Sequence, residues 1–424
     1  MSGLWVTLAV LVVLALCAVV GDGVLFLGAA GTDQTRTAFL DGNRALVELL
    51  NRRAQAVAKH DEAAFLADVD PADPRFVERQ RTELRNLSAL GLTSFALILT
   101  DPGGYQPAKD SPVLARYGGM VRQVGVTVKY AVSGVDTVPD AEPWVPTFGY
   151  TGGRWLLADE ETAGAARGLP FGVGGQPWEA RPITVVRAAH VVAVISKEDA
   201  EIAPRLVDLA ERGITNVMKV RKTGWAGKVL VTAVSDQKVF SAYFESSPDK
   251  LSQIEAVTIP RYDEVPEWTA KARVVLSRVV FNPATLGRGD DELQHTLTHE
   301  LTHVALGPVT SDATPRWLVE GAAEYVAYAS ENVPDSLTIR LARHVKGTEL
   351  PADGSFYDAA DNYVAGWLAV RLIVQRYGQA KFLALYDYFK DHTGADAALR
   401  AVLGIGLSDF TAAWVEYLNR LKGA

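Results

Sequence analysis

The sequence predicts an α+β protein, in which a mixed β-sheet is followed by a C-terminal block of helices. Three observations lead to this prediction. Apolar runs of strand length alternate with helical segments in the middle of the chain, and helical periodicity takes over almost without a break from Asp290 onward. The composition, with 48% hydrophobic and 22% charged residues among 424, is that of a folded protein with room for two or three domains.

The first 30 residues are hydrophobic and are predicted to be a membrane anchor or a signal segment. The apolar run extends from Leu4 to Val20 and resumes from Val24 to Leu27, which is close to the length of about 20 residues that a membrane-spanning helix needs. No Lys or Arg precedes the apolar core, as it would in a cleaved signal peptide, so an uncleaved anchor is favoured. We expect the body of the protein to lie outside the cytoplasm, membrane-anchored, or secreted if the segment is cleaved.

Residues 35–160 are predicted to form a small α+β domain. Helical periodicity runs through Leu46, Leu49 and Val57, and a second helix is expected over Pro74–Leu90. Helices that precede a curled antiparallel sheet are typical of an α+β domain. The strands of that sheet are expected at Thr93–Leu99, Val121–Val132 and Arg154–Leu157.

The order of these elements, with the phrase Ala-Lys-His-Asp-Glu-Ala-Ala-Phe-Leu at positions 58–66, resembles the nuclear-transport-factor-2-like cone fold. The resemblance implies a cone-like domain and assigns no catalytic residue to it. Residues 161–180 are rich in Gly and Ala and contain two prolines, which is the composition of a linker. A separate domain is therefore expected over residues 181–424.

Charge and cysteine content exclude several classes of function. The net charge of −8 and the pI near 5.5 argue against a nucleic-acid-binding surface, which would need clustered Lys and Arg. The chain has a single cysteine, Cys17, so an intrachain disulfide and a cysteine-based zinc or iron–sulfur site are excluded.

The region 181–424 alternates strands and helices before it becomes almost wholly helical. Strands are expected at Val185–Ser196, Gly227–Val234 and Ala272–Phe281, with a helix over Asp199–Lys222. The later helices are expected at Asp290–Leu306, Pro315–Ala329, Asp335–Lys346, Ser355–Tyr377, Gln379–His392, Ala395–Gly404 and Leu407–Leu421.

The motif His299-Glu300-Leu301-Thr302-His303 lies within the first of these later helices. Four residues advance about 400° along a helix, so the two histidines lie about 40° apart on one face and can meet at a single ion. The Glu300 carboxylate can reach a water on that ion. His295 extends the row by one turn, but three histidines would span about 12 Å. We therefore assign His295 to the flank of the helix.

A second helix, beginning after Thr314-Pro315, supplies two carboxylates on one face, Glu320 and Glu324. A catalytic zinc site needs three protein ligands and an open position for water, and two histidines with one glutamate form a known set. Glu320 is thus predicted to be the third ligand of one zinc ion. Glu324 is predicted to accept a hydrogen bond from the far ring nitrogen of His299 or His303.

Together, His299 to His303 and the run from Pro315 to Tyr325 resemble the gluzincin metallopeptidases, in the peptidase MA-like families related to aminopeptidase N and thermolysin. The resemblance implies that His299, His303 and Glu320 bind zinc and that Glu300 is the general base. It also implies a strand before the zinc helix that pairs with extended substrate, for which Ala272–Phe281 is the candidate.

An oxyanion-stabilising tyrosine is found in a later helix of aminopeptidase-N-like members. Tyr363 is the best-placed equivalent, with Tyr357 as a nearby rival and packing of a buried aromatic ring as the alternative role for Tyr363. The exopeptidase string Gly-x-Met-Glu-Asn is absent from the sequence before the zinc helix. An aminopeptidase-N-type exopeptidase is therefore not expected.

The sequence thus predicts a zinc-dependent peptidase that acts on peptide or protein substrates and is tethered to a membrane. Two alternatives remain open. In the first alternative, the chain is a membrane-tethered ligand-binding or scaffold protein with a non-catalytic zinc fold. In the second, it is a zinc hydrolase acting on a non-peptide amide or ester. The presence of Glu300 argues against the first alternative, since a purely structural zinc site has no use for a base.

Overall fold

The computed structural model describes residues 33–160, 176–233, 235, 240, 254–265, 269, 273–331 and 333–423. The hydrophobic segment predicted over 1–30 and most of the linker predicted over 161–180 lie outside the described residues. The chain divides into two compact units, Met1–Arg44 and Ala45–Ala424. Because only residues 33–44 of the first unit are described, the fold reported below is that of the second unit.

Helices come first along the described chain and antiparallel strands follow them. The helices are α1 (Asp33–Lys59), α2 (Glu62–Leu66), α3 (Pro74–Leu90) and the short α4 (Pro112–Tyr117). The strands are β1 (Leu92–Tyr105), β2 (Val121–Val132), β3 (Asp140–Trp144), β4 (Thr147–Thr151) and β5 (Arg154–Asp159).

The bounds of α3 follow from its capping residues. The Asp73 carboxylate accepts hydrogen bonds from the backbone N–H groups of Arg75 and Phe76, which have no partner within the helix. Pro74 occupies the first turn, where a missing N–H costs nothing. Gly91 ends the helix with a φ of +58°, a left-handed conformation that glycine adopts without strain.

The second half of the chain builds the rest of the sheet and then a helical block. Its strands are β6 (Ile183–Arg187), β7 (Val191–Ser196), β8 (Val229–Ala233), β9 (Ala256–Tyr262) and β10 (Val274–Phe281). Its helices are α5 (Pro177–Ala180), α6 (Ala203–Val220), α7 (Asp290–Leu306), α8 (Arg316–Glu331), α9 (Asp335–Ala342), α10 (Asp361–Tyr377), α11 (Gln379–Tyr388), α12 (Ala395–Leu403) and α13 (Leu407–Gly423).

The ten strands of the described chain form one mixed sheet, ordered β5-β4-β2-β3-β9-β10-β8-β7-β6, with β1 paired to β2. β7, β8 and β10 are parallel to one another, and the other pairs are antiparallel. The two halves of the sheet join where β3 pairs with β9, at Ala141 and Tyr262. The predicted α+β class, mixed sheet and helical C-terminal block are confirmed.

Strands β7 and β8 are buried on both faces, which explains their largely apolar sequences. One face of β7 belongs to the large core formed with α6, α7 and the later helices. The other face belongs to a separate core that includes Leu84 and Leu87 of α3. Helix α7 therefore lies against the sheet, in contact with α6, α8, β9 and β10.

Two details of the sheet differ from the prediction. The single strand expected over Val185–Ser196 is a hairpin, because the chain turns between Arg187 and Val191 and pairs β6 with β7. Strands β3, β4 and β9 lie outside the predicted strands. β3 and β9 each contain a proline, Pro143 and Pro260, and proline usually marks the end or the edge of a strand. β4 has only five residues and no proline.

Among the described helices, no single one is both long enough and apolar enough to cross a membrane. Helices α12 and α13 meet that requirement only when they are taken together, and they are bent by 80° relative to each other.

Candidate metal centre

Helix α7 presents His299, Glu300 and His303. Acidic residues at positions 290–292 occupy its first turn, where the helix dipole favours negative charge. Leu293, Leu297 and Leu301 form a fully buried stripe that fixes the rotation of the helix. The predicted helix over Asp290–Leu306 is confirmed.

Helix α8 presents Glu320 and Glu324 and crosses α10 at very close range. A Cβ atom added to Gly321 would lie 2.3 Å from the carbonyl oxygen of Gly366, and one added to Gly366 would lie 2.7 Å from that of Trp317. Only glycine at both positions permits this crossing. The close approach brings the N-terminal half of α10, and with it Tyr363, beside the histidines of α7.

Three ligand-type atoms converge between α7 and α8. The Nε2 atoms of His299 and His303 lie 3.1 Å apart, and the Glu320 Oε2 atom lies 3.3 Å from the first and 3.4 Å from the second. Among the described residues, these three side chains are the one group of His, Cys, Asp or Glu with the spacing that a metal ion requires. The group is largely buried, with 11%, 18% and 8% of the respective side chains exposed.

This triangle matches the face of a tetrahedral zinc site. A tetrahedral ion with bonds of about 2.0–2.1 Å separates its ligand atoms by about 3.3–3.4 Å. Two neutral imidazoles whose nitrogen lone pairs face each other at 3.1 Å repel each other unless a proton or a cation lies between them. The donor set and its spacing therefore fit a metal ion, which His299, His303 and Glu320 could hold.

The far side of His299 is held by Glu324. Its Nδ1 atom lies 3.1 Å from Glu324 Oε1, so the ring presents Nε2 to the other ligand atoms. A carboxylate partner on the far nitrogen is the usual device for orienting a histidine ligand. Burial raises the pKa of Glu324, but hydrogen bonds to His295 and His299 outweigh that effect and lower the pKa to about 2.

His295, which we assigned to the flank of the helix, extends this chain of contacts. Its Nε2 atom lies 3.2 Å from Glu324 Oε2 and its Nδ1 atom 2.7 Å from Glu331 Oε1. A ring nitrogen must donate to a carboxylate, so an imidazole between two carboxylates is protonated on both nitrogens. Burial lowers the pKa of His295, yet these two hydrogen bonds raise it to about 9.

The carboxyl group of Glu320 is ionised in this setting. Burial raises its pKa, but the charge of His303 and the hydrogen bonds with both histidines lower it far below its ordinary value. The Tyr357 hydroxyl donates to Glu320 Oε1 over 2.9 Å, which leaves Oε2 directed at the histidines. Tyr357 thus orients the third ligand-type residue and is itself 58% exposed.

Glu300 is 7% exposed and is held by strand β9. The Thr258 hydroxyl lies 2.7 Å from Glu300 Oε2 and 3.0 Å from the backbone carbonyl oxygen of the same residue. Because a hydroxyl has one proton, it donates to one of these acceptors at a time. The contact fixes one oxygen of the carboxylate, and it leaves Oε1 for another proton donor.

Tyr363 lies beside the centre without joining its hydrogen bonds. Its ring centroid is 6.3 Å from that of His299 and 5.2 Å from that of Phe356. Its hydroxyl forms no hydrogen bond with a described residue. Burial, followed by the charge of Glu320, raises the pKa of Tyr363 far above its ordinary value, so the hydroxyl keeps its proton.

One expectation about the sheet is corrected. β10, within the segment Ala272–Phe281, cannot offer an edge to another chain over Arg278–Val280, because it pairs there with β8 on one side and with β9 on the other. β9 has the more open edge. Among the described residues, only Tyr262 of β9 pairs on the side away from β10.

No protein-family model matches the chain, and no curated protein sequence matches it significantly.

Proposed function

We propose that the chain is a zinc-dependent peptidase of the gluzincin type. The observation that carries the proposal is the triangle of His299 Nε2, His303 Nε2 and Glu320 Oε2, with sides of 3.1 to 3.4 Å and the buried carboxylate of Glu300 on the same helix. A purely structural zinc site has four protein ligands, whereas this group has three among the residues that the structure describes. Three ligands beside a base are the arrangement of a hydrolytic site.

When bound, a zinc ion would supply Lewis-acid activation of water and of the scissile carbonyl. Glu300 accepts a proton from the attacking water and later delivers it to the leaving amine, so that it ends each cycle ionised. Thr258 keeps the carboxylate in the orientation that this transfer needs. Tyr363, whose hydroxyl is protonated and has no described partner, donates to the oxyanion that develops on the substrate carbonyl.

We further propose that the substrate is an extended polypeptide that lies along the edge of β9. Backbone groups on an open strand edge can pair with a substrate strand, and β9 contacts α7 directly. Because the Gly-x-Met-Glu-Asn string is absent from the sequence, cleavage within a chain is favoured over removal of a terminal residue. The hydrophobic segment 1–30 would tether the enzyme to a membrane, with its body outside the cytoplasm.

The test uses the purified full-length chain loaded with zinc. It is screened against a peptide library, and against ester and non-peptide amide substrates, with and without a chelator. The Glu300→Gln variant should bind one zinc ion and lose hydrolysis by a factor of about 10² to 10⁴. His303→Ala should lose the metal, as elemental analysis would show.

Each other outcome has a defined meaning. Turnover of esters or amides but not peptides would identify a zinc hydrolase of another class. One zinc ion per chain without any turnover would indicate a non-catalytic zinc fold. If Glu300→Gln retained full activity, the assigned base would be wrong, and if the wild-type chain bound no zinc, the proposal would fail as a whole.

A further inference from the structure

A groove of about 240 Å³ lies in the helical block, between α8, α9 and α10. Tyr325, Tyr328 and Trp367 form its aromatic wall, and Arg371 and Thr338 are its other polar residues. None of these five residues belongs to the triangle of ligand-type atoms at the metal centre. The groove is therefore a second concave site with its own chemistry.

Thr338 is unusual because it is 1% exposed and its hydroxyl has no hydrogen-bond partner among the described residues. A threonine within a helix commonly donates to the carbonyl four residues earlier, as Thr302 does to Thr298 over 2.8 Å. Thr338 makes no such bond, although it lies on α9. A buried hydroxyl without a partner costs free energy, which a bound molecule with a suitable acceptor would recover.

The other polar groups of the groove are also donors. The hydroxyls of Tyr325 and Tyr328 form no hydrogen bond with a described residue. Arg371 donates to the Tyr417 hydroxyl over 3.1 Å. Its one acidic neighbour among the described residues is Asp335, which lies 3.5 Å away and has a side chain that is 90% exposed. An ion pair with so exposed a carboxylate is weak and easily replaced.

We propose that this groove binds a small organic carboxylate with an apolar body. A carboxylate offers only acceptors, which complements a guanidinium and three hydroxyls. It would displace Asp335 from Arg371 and accept a hydrogen bond from Thr338. The aromatic wall, with Val333 beside it, takes the apolar body, as in most small-molecule sites.

The test measures binding of phenylacetate to the metal-free, full-length chain by saturation-transfer NMR. Metal-free protein is used because a carboxylate can also coordinate a bound metal ion. This choice also makes the result independent of the proposed peptidase function. Phenylacetamide has the same shape without the charge, so phenylacetate should bind at least about tenfold more tightly.

Three variants locate the site. Arg371→Gln should weaken phenylacetate binding at least about tenfold. Thr338→Val, which keeps the shape, should weaken it about threefold without lowering the thermal midpoint, because the hydroxyl has no partner to lose. Arg376→Gln changes an exposed arginine of the same helix and should leave binding unchanged.

Three results would overturn the proposal. One is equal binding of phenylacetate and phenylacetamide. Another is wild-type affinity in both the Arg371→Gln and the Thr338→Val protein. The third is absence of binding by phenylacetate, benzoate and propionate alike at millimolar concentration.

Discussion

Three ionisable side chains of the candidate centre are each held by a residue on another element. Glu300 on α7 is fixed by Thr258 of β9, and His299 by Glu324 of α8. Glu320 is fixed by Tyr357, which lies in a short 3₁₀ turn before α10. Groups that are held from separate elements keep their geometry only while the whole domain is folded. The function of single residues here therefore depends on long-range contacts.

The contact from Thr258 to Glu300 predicts that removing the Thr258 hydroxyl lowers the rate of hydrolysis and leaves zinc binding unchanged. Thr258→Val keeps the shape of the side chain and removes the donor, so Glu300, the proposed base, loses its fixed orientation. We expect peptide hydrolysis to fall about ten- to a hundredfold, while zinc content stays at the wild-type value. Thr258→Ser restores the hydroxyl and should restore most of the rate. A Thr258→Val enzyme with wild-type kcat would contradict this role.

His295 predicts a pH dependence of stability. Its pKa is about 9 in the folded chain, against an ordinary value of 6.5, so the protonated form stabilises the fold. This contribution is complete below pH 6.5 and is lost as the pH rises through 9. The unfolding free energies of metal-free wild type and His295→Gln, from urea titrations, should therefore differ most below pH 6.5.

The difference should shrink steadily between pH 6.5 and pH 9. His392→Gln serves as the control, because His392 is exposed and its ring contacts the carbonyl and ring of Tyr388 and no carboxylate of the described chain. A gap between wild type and His295→Gln that stays constant over this range would show that His295 is not protonated between its two carboxylates.

At the scale of elements, the crossing of α8 and α10 determines where the tyrosines lie. Gly366→Ala would place a methyl group 2.7 Å from the Trp317 carbonyl oxygen, and backbone atoms cannot move aside as a flexible side chain can. We expect a loss of about 1–3 kcal/mol in unfolding free energy, measured by denaturant titration.

The matched control is Gly423→Ala, at a helical glycine where an added Cβ meets nothing within 4 Å. That variant should be neutral or slightly stabilising, since alanine favours helix over glycine. Equal stability of Gly366→Ala and the wild type would mean that the two helices can separate freely.

The elements were predictable from the sequence where local signals decide them. Helix α7 has an acidic first turn and a leucine stripe, and α3 has its Asp, Pro and Gly caps, so both were found with their observed bounds. β9 was missed because Pro260 interrupts its pattern and only its pairing with β10 makes it a strand. Thr258 could not be assigned a role for the same reason, since its strand was unknown.

The candidate site was predictable in part. Helical geometry alone brings His299 and His303 together, and the spacing of α8 suggested Glu320 and Glu324. The role of His295 could not be seen, because it depends on Glu324 and Glu331 approaching from another helix. Contacts between two elements depend on tertiary packing, and the periodicity of the sequence does not predict them.

At the scale of the molecule, a buried charge network ties the two halves of the sheet together. Arg278 of β10 binds Asp136 through two hydrogen bonds of 2.5 and 2.7 Å, and Arg261 of β9 binds Asp140 over 2.8 Å. Arg261 also contacts Glu142. The acidic partners all belong to the β2–β3 region. The two arginines thus join β9 and β10 to strands from the first half of the chain.

Removing one member of this charge network should destabilise the fold. Arg278→Met leaves Asp136 buried without its arginine partner, while Asp140 keeps Arg261, so unfolding free energy should fall by about 3–5 kcal/mol. Arg273→Met removes an exposed pair with Asp263 and should cost about 1 kcal/mol or less. Both values come from urea titrations, and similar losses in the two variants would argue against a structural role for the buried network.

Thr258 also has a kinetic consequence. Thr258 orients the proposed base, and among the described residues only Tyr262 of the same strand pairs on the side away from β10, so a polypeptide lying along β9 would press on the support of Glu300 itself. A compact ester at the centre would not touch that strand. Longer peptide substrates would then have a higher kcat as well as a lower KM. The length of the substrate, more than the residue at the cleaved bond, would distinguish good substrates from poor ones.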